Sequence, residues 1–203
     1  MGIIKGRGAT ENRESSRFNL PTREVDGDWL DALPAIDGDP SRPRTTVTVE
    51  RPRTIITRNT SPDIMFDRSI NAYRGCEHGC IYCFARPTHA YHDLSPGLDF
   101  ETKLFAKPDA ATLLRAELAK PGYKPAPLAM GTNTDPYQPI EGQWHITRDC
   151  IEVLAETRHP LLITTKSNRV LRDLDLLSRM APDEIVSVTF PITSLSTDIS
   201  RTL

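Results

Sequence analysis

Apolar and polar positions change their spacing along the chain. Through residue 60 they hold no sustained helical period. Stretches such as Asp37-Gly38-Asp39-Pro40-Ser41-Arg42-Pro43-Arg44 are rich in Arg, Asp and Pro and poor in aromatics, so they offer little apolar surface to bury. Residues 1–60 read as an extended, partly disordered leader. Two β-branched runs inside it, Thr45-Thr46-Val47-Thr48-Val49 and Thr54-Ile55-Ile56-Thr57, predict short strands that join a neighbouring sheet.

From Ser69 onward strand-like runs alternate with helical stripes. Ser69-Ile70-Asn71-Ala72-Tyr73 predicts one strand leading directly into a loop. After the short apolar run at 101–106, Asp109 stands where it can cap a helix carrying Leu113, Leu114, Glu117 and Leu118, and Pro121-Gly122 ends it. A second strand at 127–131 opens into the polar loop Thr132-Asn133-Thr134-Asp135-Pro136-Tyr137-Gln138-Pro139. Thr147 stands ready to cap the next helix, whose Cys150, Ile151, Leu154 and Ala155 share one face, which makes Cys150 a small core residue. A third strand at 161–165 precedes Lys166, then a helix with Val170, Leu171, Leu174 and Leu177, and 185–190 reads as a fourth.

Strands separated by helices of this length pair in parallel through right-handed crossovers, and ligands bind where the carboxyl ends of the strands meet the following loops. The expected class is therefore α/β with a partial (β/α) barrel. Only about four βα units fit before Leu203, whereas a closed eightfold barrel takes roughly 250 residues. Residues 61–203 thus read as the N-terminal half of a barrel domain, truncated at a parallel edge strand.

Charge narrows the partners. Charged residues make up 26% of the 203 positions, yet the formal net charge is only -2, so no field of one sign recruits nucleic acid or an anionic membrane. Arg42, Arg44, Arg51, Arg53 and Arg58 lie near acids and read as a solvated surface. Gly6 stands where a myristoylation signal needs Ser or Thr, and no apolar run approaches ~18 residues. A soluble, cytoplasmic protein is expected.

Three of the four cysteines, Cys76, Cys80 and Cys83, fall in the loop after the first predicted strand, spaced C-x-x-x-C-x-x-C. Clustering at ligand spacing argues for metal in a reducing compartment and against structural disulfides. Three thiolates hold a four-iron, four-sulfur cube with one iron left open. Zinc is the chemical competitor, with His78, His89 or His92 as fourth ligand; a cluster or zinc ion that serves only folding or sensing makes the chain a non-catalytic metal-binding module. Zinc modules, however, commonly bring their cysteines in C-x-x-C pairs. Gly75 and Gly79 allow close backbone approach, Tyr82 offers a ring to a planar base, and Phe84 can exclude water.

Cys76-x-x-x-Cys80-x-Tyr82-Cys83 after the first strand resembles the signature of the radical S-adenosylmethionine (radical SAM) superfamily. Within it, Tyr73-x-Gly75-Cys76-x-His78-x-Cys80-x-Tyr82-Cys83-x-Ala85-Arg86 together with Thr134-Asp135-Pro136-Tyr137-Gln138 is similar to the bacterial branch related to spore photoproduct lyase. The resemblance runs from about residue 45 to 203. It implies a partial barrel of the radical SAM type and a 4Fe-4S cluster on Cys76, Cys80 and Cys83, fed by an electron donor such as flavodoxin or ferredoxin. It also implies reductive cleavage of S-adenosyl-L-methionine to a 5'-deoxyadenosyl radical. Tyr82 then contacts the adenine, and Gly131, Thr132, Asn133, Thr134 and Asp135 take the place of the family's glycine-rich segment, from whose usual wording they depart. Lys166 sets a cation against the bound carboxylate. Ser187 and Thr189, two apart on one strand face, reach toward ribose hydroxyls. Photoproduct lyases carry a further cysteine as hydrogen donor, and Cys150 at its core-facing position does not suit that role, which leaves DNA photoproduct repair a minor alternative.

Overall fold

The computed structural model describes residues 6–13, 44–196 and 199; the leader stretch 14–43, Arg42 included, lies outside them. The architecture is mixed α/β. β1 (Thr46–Val49) and β2 (Ile56–Arg58) come from the two β-branched runs, followed by β3 (Arg68–Ile70) and β4 (Tyr73–Arg74). A 3-10 stretch (Arg86–His92) and α1 (Leu98–Thr102) lead to β5 (Lys103–Ala106), then α2 (Ala110–Leu118) and β6 (Leu128–Met130). The chain continues through α3 (Glu141–Trp144), α4 (Ile146–Glu156), β7 (Leu161–Thr164), a 3-10 stretch (Asn168–Asp173), α5 (Leu174–Met180) and β8 (Val186–Thr189).

The larger sheet runs β2-β3-β6-β7-β8, with β3, β6, β7 and β8 parallel and β2 antiparallel at one edge. Its register aligns Ile70, Met130, Ile163 and Val188 in one row and Ser69, Ala129, Leu162 and Ser187 in the next. Because side chains alternate across a strand, the first row faces the helices and joins the core with Leu114, Ile151, Leu154 and Leu177. Each such side chain contributes about 1.5–3 kcal/mol by leaving water. α2 packs on α4, and α4 on α5. β1 pairs in parallel with β5, and β4 pairs antiparallel with β5, forming a second, three-stranded sheet.

Several local expectations change. The single strand predicted at 69–73 divides: β3 enters the large sheet, whereas Tyr73 turns aside to pair with Ala106. Asp109 makes no side-chain cap and instead binds Arg51 Nη1 at 2.5 Å. Thr147 does not cap α4 either. The fully buried carboxylate of Glu141 accepts from Thr147 N at 3.0 Å and Arg148 N at 3.3 Å, which places negative charge at the helix's positive end. Thr147 Oγ1 donates to Pro136 O at 2.6 Å. The 3-10 turns before α5 shift the apolar phase, so Leu171 and Leu174 are exposed while Val170, Leu176 and Met180 are buried.

Cys150 is fully buried in the core, as its helical position predicts; burial pushes its thiol well above the ordinary range. Arg44, Arg51, Arg53 and Arg58 are exposed; Arg51 and Arg58 pair with Asp109 and Asp67. Among the described residues no helix is long and apolar enough to cross a membrane.

Candidate metal and cofactor site

The cysteine loop leaves β4 at Gly75, whose φ of 72° is one an L side chain rarely adopts. A methyl there would also press on Leu104 and the Phe100 carbonyl. Gly75 therefore lets the chain turn tightly beside α1, and Cys76 N is fixed to Phe100 O at 2.9 Å. Two further turns, Gly79 N to Cys76 O and Cys83 N to Cys80 O, fold the triplet back on itself. All three cysteines are free thiols; Cys76 is buried, and Cys80 and Cys83 are partly exposed. Burial pushes the Cys76 thiol up to about 12 and raises that of Cys83. Metal binding reverses that preference by requiring thiolates.

The loop after β6 clamps this turn from the other side. Thr134 Oγ1 donates to Gly75 O at 2.6 Å, and Gln138 Nε2 donates to the same carbonyl at 3.2 Å. Gln138 Oε1 accepts from Glu77 N at 3.0 Å. Asp135 carries the clamp onward to β7: Oδ1 accepts from Thr165 Oγ1 at 2.6 Å and from Tyr137 N, and Oδ2 accepts from Lys166 N at 2.8 Å. Asn71, just beyond β3, binds Thr132 Oγ1 and accepts from Asn133 N at 3.0 Å. Gly131, at φ 94°, lies so close to the Thr164 carbonyl that a methyl would overlap it.

Lys166 Nζ lies 4.4 Å from the Tyr82 ring centroid, and the Tyr82 hydroxyl meets Thr193 Oγ1 at 2.8 Å. A cation over an aromatic face is attracted by the ring quadrupole. Both side chains are exposed, so the pair stands at the mouth of the loop. His78 Nε2 is 3.4 Å from Asp135 Oδ2 without hydrogen-bond alignment, and burial lowers its pKa despite that neighbour.

The expected residues are thus not all equivalent. Cys76, Cys80, Cys83, Tyr82, Gly131, Thr132, Asn133, Thr134, Asp135 and Lys166 form one connected group. Ser187 and Thr189 share the exposed face of β8, opposite Val186 and Val188, which pack on the core. Phe84, expected to exclude water, is 78% exposed. Asn71, Thr165, Arg86 and Glu101 had no site role in the sequence pattern, although Arg86 closes the cysteine motif. The first two are single polar residues at strand ends, a position that was their only signal. Arg86 donates to Cys80 O at 3.0 Å, Gly79 O at 2.8 Å and Glu101 Oε1 at 2.5 Å.

Donor chemistry fits an iron-sulfur cube in kind: three free thiols on one folded-back loop, with no disulfide among them. Among the described residues no three His, Cys, Asp or Glu side chains gather as around a single metal ion. A cube, which attaches each thiolate to a different iron, asks for a wider set than a tetrahedral ion does. Of the histidines offered as zinc ligands, His78 and His92 keep a buried Nε2 without a hydrogen-bond partner among the described residues. His89 meets Lys103 O at 2.8 Å and sits edge-on to Phe100, and His92 stacks on Phe105.

No protein-family model matches the chain. Uncharacterized proteins of Mycobacterium bovis and Mycobacterium tuberculosis are each 46% identical over 123 residues, which is 61% of this chain and 36% of theirs. An uncharacterized protein of Methanocaldococcus jannaschii is 30% identical over 116 residues, covering 57% of this chain and 41% of its own. The chain therefore spans well under half the length of these relatives. Among solved structures, spore photoproduct lyase complexed with dinucleoside spore photoproduct covers 75% of this chain and 44% of its own, at 17% identity and a TM-score of 0.47. A mutant of that lyase with bound AdoMet and the same dinucleoside gives a TM-score of 0.46.

Proposed function

We propose that the chain is the cluster-binding part of a radical SAM enzyme, in which Cys76, Cys80 and Cys83 hold a 4Fe-4S cluster with one iron open to S-adenosylmethionine. One observation carries this reading: the three thiols share a single glycine-bent turn after β4, clamped by the loop at the carboxyl end of β6, while Cys150, the remaining thiol, is sealed in the core. Cys150 therefore offers the turn no fourth thiolate. On this reading β3, β6, β7 and β8 are consecutive staves of a partial (β/α) barrel in residues 61–203, preceded by a leader through residue 60.

Held by Cys76, Cys80 and Cys83 and reduced by a donor such as flavodoxin or ferredoxin, a 4Fe-4S cluster would supply the one-electron chemistry for reductive cleavage of S-adenosylmethionine to a 5'-deoxyadenosyl radical acting on a substrate. The protein's own groups bind and orient. Lys166 supplies a cation for the cofactor's carboxylate. Tyr82, already under that cation, offers a ring face to adenine. Gly131, Thr132, Asn133, Thr134 and Asp135 line the edge that receives the amino group. Asn71 and Thr165 fix that edge by their bonds to Asn133 and Asp135. Ser187 and Thr189 present hydroxyls from the open face of β8 to the ribose.

Anaerobic iron-sulfur loading followed by dithionite and S-adenosylmethionine tests the reading. Formation of 5'-deoxyadenosine that disappears in Cys80→Ala supports it. An iron-loaded protein that yields no 5'-deoxyadenosine contradicts it and leaves a non-catalytic metal module.

A further inference from the structure

Residues 6–13 lie against the cysteine loop and the 95–101 segment, bonded to the first at Glu77 and to the second along their length. Glu101 on α1 is fully buried. Its Oε2 accepts from Arg7 N at 2.7 Å and Gly8 N at 3.0 Å, and its backbone carbonyl accepts from Arg7 Nη1 at 3.0 Å. Its other oxygen receives Arg86, the guanidinium that also holds the carbonyls of Gly79 and Cys80. One buried carboxylate therefore ties residues 7 and 8 to the loop between the first and second cysteines. Arg7 makes a second attachment, from Nη2 to Glu77 Oε1 at 2.9 Å; Thr45 Oγ1 donates to the same oxygen at 2.7 Å.

Packing at the crossing point is glycine against glycine. A methyl on Gly8 would overlap the Gly79 carbonyl oxygen, and one on Gly79 would press on Arg7 Cβ and Gly8 N. Gly79 also has φ 64°, so its conformation and its contact both exclude a side chain. Farther along, Asn12 and Asp99 exchange side-chain and backbone bonds, and Arg13 N donates to Ser95 Oγ at 2.7 Å. This pattern continues the attachment beyond the loop.

We propose that residues 6–13 are a positioning strap for the cysteine loop: Arg7 and Gly8, acting through Glu101 and Arg86, set the conformation of Gly79-Cys80 and hence where the Cys80 thiol points and how freely it opens to solvent. The inference stands on contacts within this chain and holds whichever metal the loop carries. Glu101 and Arg86 form the fixed buckle, and residues 7 and 8 are the part that can lift. Without them, Glu77 loses its Arg7 partner and Glu101 loses two amide donors, while Arg86 keeps its grip on only one side of the loop.

Timed alkylation of the full, reduced, metal-free chain with iodoacetamide, read cysteine by cysteine by mass spectrometry, tests this. Gly8→Val should label Cys80 about tenfold faster than the wild type, the change that losing one charge-assisted hydrogen bond makes in a local opening equilibrium. Arg7→Ala should act in the same direction, and Arg7→Lys should restore part of the protection by keeping a cation at Glu77. Cys150 should remain unlabelled throughout. Unchanged Cys80 labelling in both Gly8→Val and Arg7→Ala overturns the proposal. Labelling of Cys150 together with Cys80 overturns it as well, because residues 6–13 would then hold the whole fold and not the loop. No cluster takes part in the measurement, so its failure and a failure to form 5'-deoxyadenosine are separate results.

Discussion

Thr134 donates its hydroxyl proton to the backbone carbonyl of Gly75 at 2.6 Å, which fixes the residue directly before the first cysteine from a loop 59 positions away in sequence. Gln138 donates to the same carbonyl and to Thr134 Oγ1. The three groups form a closed set with the polar demand of each met inside the protein.

Thr134→Val breaks that set. The substitution keeps the shape, leaves Gly75 O with a single long bond and removes the acceptor for Gln138. A loss of about 1–3 kcal/mol follows from burying groups that lose a partner, read as a lower urea midpoint. Iron bound per chain after anaerobic loading should fall with it; full stability would show that the clamp is not closed.

Gly131→Ala should cost about 2–4 kcal/mol, because it meets two penalties at once: a φ of 94° that a side chain resists and overlap with the Thr164 carbonyl. Equilibrium denaturation measures the loss directly. Gly122→Ala serves as the comparison, since its φ is 81° but open space surrounds it. The smaller loss belongs to Gly122.

Lys107 predicts a pH dependence. The residue is 7% exposed and its ammonium donates to Asn71 O at 2.9 Å; burial, with Arg74 nearby, holds its pKa down at about 8 against the ordinary 10.5. The unfolded chain therefore carries more protons across that interval, and stability contributed through Lys107 rises as pH climbs from about 8 to 10.5. Below pH 8 both states are protonated and the full cost of burying the charge is present. Denaturation midpoints across this range should rise less steeply in Lys107→Met, and equal slopes would contradict the assignment.

Cys150→Ser should destabilise by about 1–3 kcal/mol, since a hydroxyl replaces a fully buried thiol without a partner. Iron content should not change. Cys80→Ala should do the reverse to iron, and thermal melts paired with iron assays on the two variants separate the core thiol from the loop thiols.

Much of the larger sheet was legible because its strands are β-branched or apolar runs separated by amphipathic helices. Cys150 was legible for the same reason, through its spacing with Ile151 and Leu154. The division of 69–73 was not, because Ala72 and Tyr73 continue a strand-like run, and only the pairing of Tyr73 with Ala106 draws them into another sheet. Leu171 and Leu174 were misjudged because a 3-10 turn advances the chain by a different angle per residue than an α-helix. In the site, clustered cysteines and the Thr132–Asp135 loop announce themselves by composition. Glu101 does not: it sits in a short helix and becomes a hub only because Arg7 and Arg86 approach it from distant parts of the chain.

The division of that strand has a mechanical consequence. Only Asn71 and Ala72 link β3 in one sheet to β4 in the other, and two residues span at most about 7 Å. The thiols hang from the small sheet, whereas Thr165 and Lys166 hang from the large one. So short a tether has no slack, and it caps how far the sulfur-bearing turn can stand from the end of β3 in the sheet that carries the lysine.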